Sequence, residues 1–405
     1  MNDPVQQVRS GRAFVTHENW GGARVPPRAL LDPPCERSGR SPGKPAPTRP
    51  VARARASLLN RAVAWTLAAA SGSFLAALGI FVPQRAAGEA TASPTNALTA
   101  AKREWAAALR WENDAFGGTD RFYTDGVAVG VSHTGPSWMD PVADWLPWGQ
   151  GRRTVGYDVA QAMFTPKNKD LNPPDPNDRP YAGILAFGLS LHVEKTNSYH
   201  GLKFITGVLG PWSLAEEMQD AVHSLIGSGK AQGWDYQLHN EPIFNFLYEY
   251  RHKFRLAGER ERWSVEALPF GGGWLGNMLT QGQIGGIARF GYNMPDDFGP
   301  TLVRGMDFMP PPRRDPQRRS KSDWGFSFYG GVMGNLVLRD ITLDGNTFKD
   351  SPSVDKKWFV PAAGVGLSVG NRRFQTSFSY IFWGKEFEGQ AQNEKFGSIS
   401  VSYLF

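Results

Sequence analysis

Cysteine is almost missing from this 405-residue chain: its one thiol, Cys35, lies upstream of a segment that reads as an export leader. The exported part would hold no thiol, which excludes disulfides and thiolate-held metals. Charge is also sparse, at 20% of residues, and no apolar run beyond residue 100 reaches the roughly 20 residues that a membrane helix needs. Aromatic residues, by contrast, make up 12%, with 14 Trp and 25 Phe, and there are 46 Gly. That profile suits a large β protein. The formal net charge of +6 overstates how basic the exported part is, because the first 65 residues carry many Arg and few acids.

Residues 53–90 read as a signal peptide. Arg53, Arg55 and Arg61 form a basic n-region, AVAWTLAAASGSFLAALGIFV an apolar core, and PQRAAGEA offers small residues for cleavage near Ala87 to Ala90. A retained membrane-anchor helix is the alternative. Residues 1–52, rich in Pro, Arg and Gly, are expected to be a disordered or wrongly assigned extension, translation starting near Val51 or Leu58 at a non-Met codon. The working domain is then 104–405.

Within that domain a period of two dominates. In FQTSFSYIF, Phe374, Thr376, Phe378, Tyr380 and Phe382 share one face while Gln375, Ser377, Ser379 and Ile381 share the other. Phe244, Phe246, Tyr248 and Tyr250 alternate in the same way with Asn245, Leu247, Glu249 and Arg251. A soluble sandwich would bury the bulky face against a second sheet. Here the opposite face is so rich in Gly, Ser, Asn and charge that it fits a polar lumen, with the bulky face turned to lipid. The fold expected is an all-β transmembrane antiparallel barrel of about twelve strands. Their positions are 105–114, 123–134, 152–164, 181–195, 199–210, 241–256, 260–270, 281–293, 323–338, 357–369, 372–384 and 395–405. The last ends on Phe405, as the closing strand of a bacterial outer-membrane barrel does.

Two stretches interrupt the rhythm. PWSLAEEMQDAVHSLIG places Leu214, Met218, Val222 and Leu225 at helical spacing, with Ser213 able to cap and Glu216 and Glu217 in the first turn, so a short helix is expected in the loop after strand five. Residues 293–322 follow strand eight, and with both termini at the periplasmic end they form a long periplasmic segment where short turns are usual, unless a strand pair is hidden there.

The same parity sends the first, third and fifth connectors outward. Asn113 and Asp114 end an upward strand and Thr124 begins the descending one, so three oxygen-bearing groups meet at the outer rim. His223 comes from the loop helix on that side, with Gln219 one turn earlier on the same helix face. Asp114 with backbone carbonyls would suit a calcium ion, and a neutral imidazole could take a proton from water. Individually these signals are weak. Asn-Asp is an ordinary turn pair, and His133, His192, His200, His239 and His252 compete for any catalytic role.

ENDAFGGTDRFYTDGVAVGVSH, DRPYAGIL at 178–185, GVLGPWSLAEEMQDAVHSLIG at 207–227, GWDYQLHNEP at 233–242 and the closing Phe405 together resemble the outer-membrane lipid A 3'-O-deacylases. The resemblance runs from Trp105 to Phe405. It implies a calcium-dependent esterase on a twelve-stranded barrel, integral to the outer membrane and facing the outer leaflet, which removes the 3'-linked acyloxyacyl chain of lipid A. Asn113, Asp114, Thr124 and His223 match the family's active-site residues. Asp114 would hold the Ca2+ that polarises the ester, and His223 would activate water directly, with no acyl-enzyme. An acidic residue found after the histidine in one branch has no match, Gly229 standing at that spacing, so Gln219 or Glu241 is the candidate for orienting His223. Arg179, with Lys167 and Lys169, is expected to dock the lipid phosphates, although DRPYAG also reads as a structural turn. The expected partners are lipopolysaccharide and outer-membrane lipid, not nucleic acid, and the expected state is a monomer. The competing readings are a passive barrel, porin or scaffold, and an outer-membrane phospholipase A with a Ser nucleophile.

Overall fold

The computed structural model describes residues 103–118, 121–226, 229–259, 261–302, 304–305, 309–311 and 324–405. The expected extension at 1–52, the leader at 53–90 and the start near Val51 or Leu58 lie outside the described residues. From Trp105 onward the chain forms one closed antiparallel barrel.

Thirteen strand segments run in chain order: β1 Trp105–Asn113, β2 Phe122–Thr134, β3 Arg152–Thr165, β4 Ala182–Glu194, β5 Ser198–Leu209, β6 Glu241–His252, β7 Phe254–Gly258, β8 Trp263–Gly276, β9 Leu279–Tyr292, β10 Gly325–Asp340, β11 Phe359–Gly370, β12 Phe374–Trp383 and β13 Glu394–Leu404. Each pairs with its neighbour, and β13 returns to β1. The segments β6 and β7 are two halves of one strand. Arg251 pairs with Phe270 and Phe254 with Ala267 in unbroken register against β8, and two pairs drop out between them, at Pro269, which has no N–H to give, and at the adjoining Leu268. The barrel therefore has twelve strands. The expected positions agree to within a few residues, except that β8 runs on through Gly271, Gly272 and Gly273 to Gly276, because β6 and β9 hold both its edges.

Alternation sorts the side chains as expected. Phe187, Phe244, Phe246, Ile284, Phe328, Val332, Leu336 and Val365 are exposed on the outer face. Inside lie Arg110, Glu112, Asp158, Lys203, Glu249, Arg251, Glu266 and Arg289, paired with one another, and an apolar cluster that includes Tyr123, Phe164, Ile184, Leu268, Ile287 and Phe396. Burying this many charges is tolerable only because they are paired and hydrogen-bonded.

The long segment after β9 is neither a hidden strand pair nor a free loop in its described part: it enters the barrel. Lys253 holds Asp296 at 2.8 Å, Arg251 donates to the carbonyls of Phe298 and Pro300, and Phe298 and Leu302 join the apolar cluster. Arg304 reaches Glu386 and Glu394 at the rim opposite the chain ends, while Pro311 is back beside Arg152 near the start of β3. The segment climbs the lumen and returns.

Among the described residues three short α-helices decorate the barrel: α1 Asp140–Trp145, α2 Ala215–Ile226 and α3 Ile341–Asp344. Near the chain ends, Met139 and Ala143 cover Val155, Leu191 and Val193 on the outer face of β3 and β4. At the opposite rim α2 does the same for the upper part of that wall.

Candidate active site at the barrel rim

The first strand ends on Asn113, which continues as a one-turn 3-10 helix, Asp114–Gly117. Asn113 caps that turn, its Oδ1 accepting from the Ala115 N–H at 2.7 Å. Phe116 then packs on Trp111 and Phe378, so the turn leans over the outer side of β1 and β13. Asp114 is buried, and its carboxylate accepts a hydrogen bond from the Arg121 backbone N–H. The opposing strand carries a bulge: register slips between Tyr123 and Asp125, leaving Thr124 as the extra residue. Bulges re-aim side chains, and Thr124 shares a 2.7 Å hydrogen bond with the Thr165 hydroxyl on β3.

One residue of this rim is absent from the sequence-derived set. Asp125 pairs with Asn113 across the ladder, on the outer face, yet is buried. It accepts from Trp111 Nε1 at 2.8 Å and Asn113 Nδ2 at 3.2 Å, so it fixes the Asn113 amide with Oδ1 toward the turn. The one available signal was a carboxylate on the face that elsewhere carries lipid-facing apolar residues.

The helix α2 lies against this rim from outside. On β3, Ala162 and Phe164 face the lumen, so Gln161 and Met163 face out. Met163 packs with Ala215, Tyr181 and Trp234, and Gln161 Nε2 donates to the Ser213 carbonyl at 2.6 Å. Beside Met163 stands Gly183, whose missing Cβ makes room: a side chain there would come within 2.2 Å of Ser213 Oγ and 2.4 Å of the Ala215 Cβ. The expected cap by Ser213 does not form. Leu214 adopts a left-handed conformation, φ 58°, that starts the helix one residue later, and the Ser213 hydroxyl is buried without a partner.

Two side chains of α2 matter for chemistry. His223 gives its Nδ1–H to the Gly229 carbonyl at 2.6 Å. A carbonyl only accepts, so the proton sits on Nδ1 and Nε2 is left as the base. Gly229 thus orients the imidazole through its backbone carbonyl. Neither expected orienter does so: Glu241 is engaged by Thr347, Asn346 and Asn277, and Gln219 by Trp234. The Trp234 indole can only donate, and it donates to Gln219 Oε1 at 2.7 Å, which fixes the amide orientation. The Gln219 NH2 is then buried with no partner among the described residues.

The expected residues are thus sorted by the fold. Asn113, Asp114 and Thr124 share one arc of the rim, and Gln219 and His223 belong to the helix that abuts it at the same end, with Asn113 on the same outer side of the wall. His223 is bonded to Gly229 and to none of those three. Lys167 is exposed, and the Lys169 carbonyl accepts from the Gln232 N–H at 2.8 Å, so their loop flanks the segment that follows α2. Arg179 is placed differently from its expected docking role. It has no exposed surface, it points into the barrel, and it binds Glu386 at 2.6 Å and Thr342 at 2.9 Å over the Phe164 ring. A guanidinium enclosed in this way holds the rim loops together and has no face left for a lipid phosphate.

Among the described residues no group of three or more His, Cys, Asp or Glu side chains gathers to hold a metal. The rim's donors are all oxygens: the Asp114 carboxylate, the Asn113 and Thr124 side chains, and turn carbonyls. Such a set fits a hard cation that takes neutral oxygens and water beside one carboxylate, as calcium does, and does not fit a soft metal.

The chain matches the family described as "Outer membrane protein LpxR" over residues 74–405. That match begins within the expected leader, some way before the stretch from which the resemblance was read. Among solved structures the chain is similar to LpxR from Salmonella typhimurium, with 20% identity and a TM-score of 0.60 over 74% of this chain and 100% of that one. Its likeness to the β domain of the Bordetella autotransporter BrkA is weaker, at 10% identity and a TM-score of 0.34 over 75% and 99% of the two chains. No curated protein matches it.

Proposed function

The chain belongs to the LpxR family of outer membrane proteins, and from that premise we propose that this integral outer-membrane barrel is an esterase that removes the 3'-linked acyloxyacyl chain of lipid A. The observation that carries the reading is the paired arrangement on α2: an imidazole with Nε2 left as base, one helical turn from a buried amide NH2 without a partner. A base and an unused donor side by side are what ester hydrolysis asks of a site.

In this reading His223 Nε2 removes a proton from a water as that water attacks the ester carbonyl carbon. The imidazolium is supported by the Gly229 carbonyl through Nδ1–H. It returns the proton to the departing 3' oxygen of the sugar, giving a free fatty acid and a hydroxyl on the glycolipid. Gln219 Nε2–H donates to the carbonyl oxygen as its charge grows. Asp114 and neighbouring carbonyls would hold Ca2+, with Asn113 and Thr124 positioned beside it; a bound calcium supplies Lewis-acid polarisation of the ester carbonyl. No residue becomes acylated, in contrast to a Ser-dependent phospholipase. Lys167 and Lys169, beside the segment that follows α2, take the lipid phosphates, and the rim faces the outer leaflet.

The test is mass spectrometry of lipid A from cells producing the wild type, Asp114→Ala or His223→Ala. Wild type should yield lipid A lighter by the 3'-linked acyloxyacyl group. Both variants should leave it intact while still migrating as heat-modifiable folded barrels. Identical spectra from all three would favour a passive barrel, and inhibition by a Ser-directed reagent would favour the phospholipase.

A further inference from the structure

We infer that the tip of the luminal segment, Arg304 and Gly305, positions the rim site through the barrel wall, with Arg304 as a positioning residue for a reaction it does not touch; this rests on the rim being the active site. The tip is fastened to the two residues that stand directly behind the site. Glu112 immediately precedes Asn113 and Asp114, and Tyr123 immediately precedes the bulged Thr124 and Asp125. Because neighbours along a strand face opposite sides, Glu112 points into the lumen where Asn113 points out, and the bulge at Thr124 sets Tyr123 inward and Asp125 outward although they are two residues apart.

Four contacts join the tip to these two residues. The Gly305 N–H donates to Glu112 Oε2 at 2.7 Å, and the Tyr123 hydroxyl donates to the same oxygen at 2.6 Å. Arg304 pairs with Glu394 at 3.1 Å, and Glu394 Oε1 accepts from the Tyr123 backbone N–H at 2.6 Å. Arg304 also lies over the rings of Trp383 and Tyr123, at 4.3 and 5.2 Å, and pairs with Glu386, so its guanidinium has little room to move. Gly305 has φ +76°, and a Cβ there would meet the Tyr123 hydroxyl at 3.2 Å, so only glycine brings the backbone this close. A segment that served only to fill the lumen would need neither bond. Here the Gly305 N–H ends on Glu112 of β1, and Arg304 ends on Glu394 of β13, which in turn holds the Tyr123 backbone of β2.

The experiment uses the full chain in outer membranes. Arg304→Met should lower kcat for acyl release at least about ten-fold, since sub-ångström misplacement of reacting groups is costly, while KM stays within about two-fold and heat-modifiable migration is kept. Arg304→Lys should recover part of the loss. Lys253→Met, which loosens the root of the segment and leaves the tip, should not change kcat. A second readout is independent of activity: backbone hydrogen exchange across residues 112–125 should speed up in Arg304→Met relative to Lys253→Met. Unchanged exchange there, or an Arg304→Met rate equal to wild type, overturns the inference. Faster exchange in a protein whose wild type releases no acyl chain supports the brace and counts against the esterase reading instead. Should Arg304→Met not assemble, Gly305→Ala is read in the same two assays with the same outcomes.

Discussion

Replacing Gln219 with methionine separates folding from chemistry. In the native protein one buried donor of the Trp234 and Gln219 pair goes without a partner: the indole N–H is engaged by Oε1, and Nε2 is left over. Methionine, similar in length and adaptable in packing, removes the amide and leaves the indole N–H as the orphan. Each stranded donor costs about 1–3 kcal/mol, but one is exchanged for another, so the net change in stability should stay within about 1 kcal/mol. Catalysis has no such offset. A preorganised donor to a developing oxyanion contributes roughly 2.7–4 kcal/mol, or about 10²–10³ in kcat. Purified Gln219→Met should therefore refold, migrate and resist heat like wild type, yet release fatty acid from lipid A in detergent micelles at least about a hundred-fold more slowly. A variant that keeps more than about a tenth of the wild-type rate would refute this role for the amide. Loss of the fold would refute the exchange of orphans.

Other expectations follow from the same geometry. In Gly183→Val a side chain would collide with Ser213 and Ala215, lifting α2 from the wall; acyl release should fall at least about ten-fold while the barrel remains heat-modifiable, because the strands themselves are untouched. Burial alone would raise the Glu386 carboxyl, but the Arg179 and Arg304 charges outweigh it and hold it down to about 2 from an ordinary 4.5. A depressed acid stabilises above its unfolded value and loses that contribution as pH falls through the folded one. Electrophoretic resistance to heat should thus persist down to about pH 4.5 and weaken from there toward pH 2; loss already at pH 6 would contradict the pairing. Under the esterase reading, chelation of calcium should stop acyl release, and added calcium restore it, without altering migration.

The strands were legible because a barrel wall separates two solvents at every residue, and period-two alternation records that separation directly in stretches such as FQTSFSYIF. The helix after β5 was legible from its spacing and its early glutamates. The luminal segment was not: residues 293–311 carry Pro, Gly and scattered charges without period, and the described part is held by Lys253, Arg251 and Glu112, all distant in sequence. Arg179 was misplaced for a related reason, since a rim arginine next to a proline looks the same in sequence whether it turns out to a phosphate or in to Glu386. The orienting of His223 left no side-chain signal, being done by a carbonyl of Gly229. Asp125 escaped notice inside a Thr-Asp-Gly triplet that any turn could contain.

Because α2 rests on the outside of the wall and the lumen is occupied by the segment from β9, the barrel's interior is no thoroughfare for the lipid. Under the esterase reading, a lipid molecule would slide in from the side, keeping its tails among neighbouring tails throughout. Turnover would then depend on how many such molecules lie per unit of membrane surface and how tightly they are crowded, and hardly at all on how much material is dissolved around the cell.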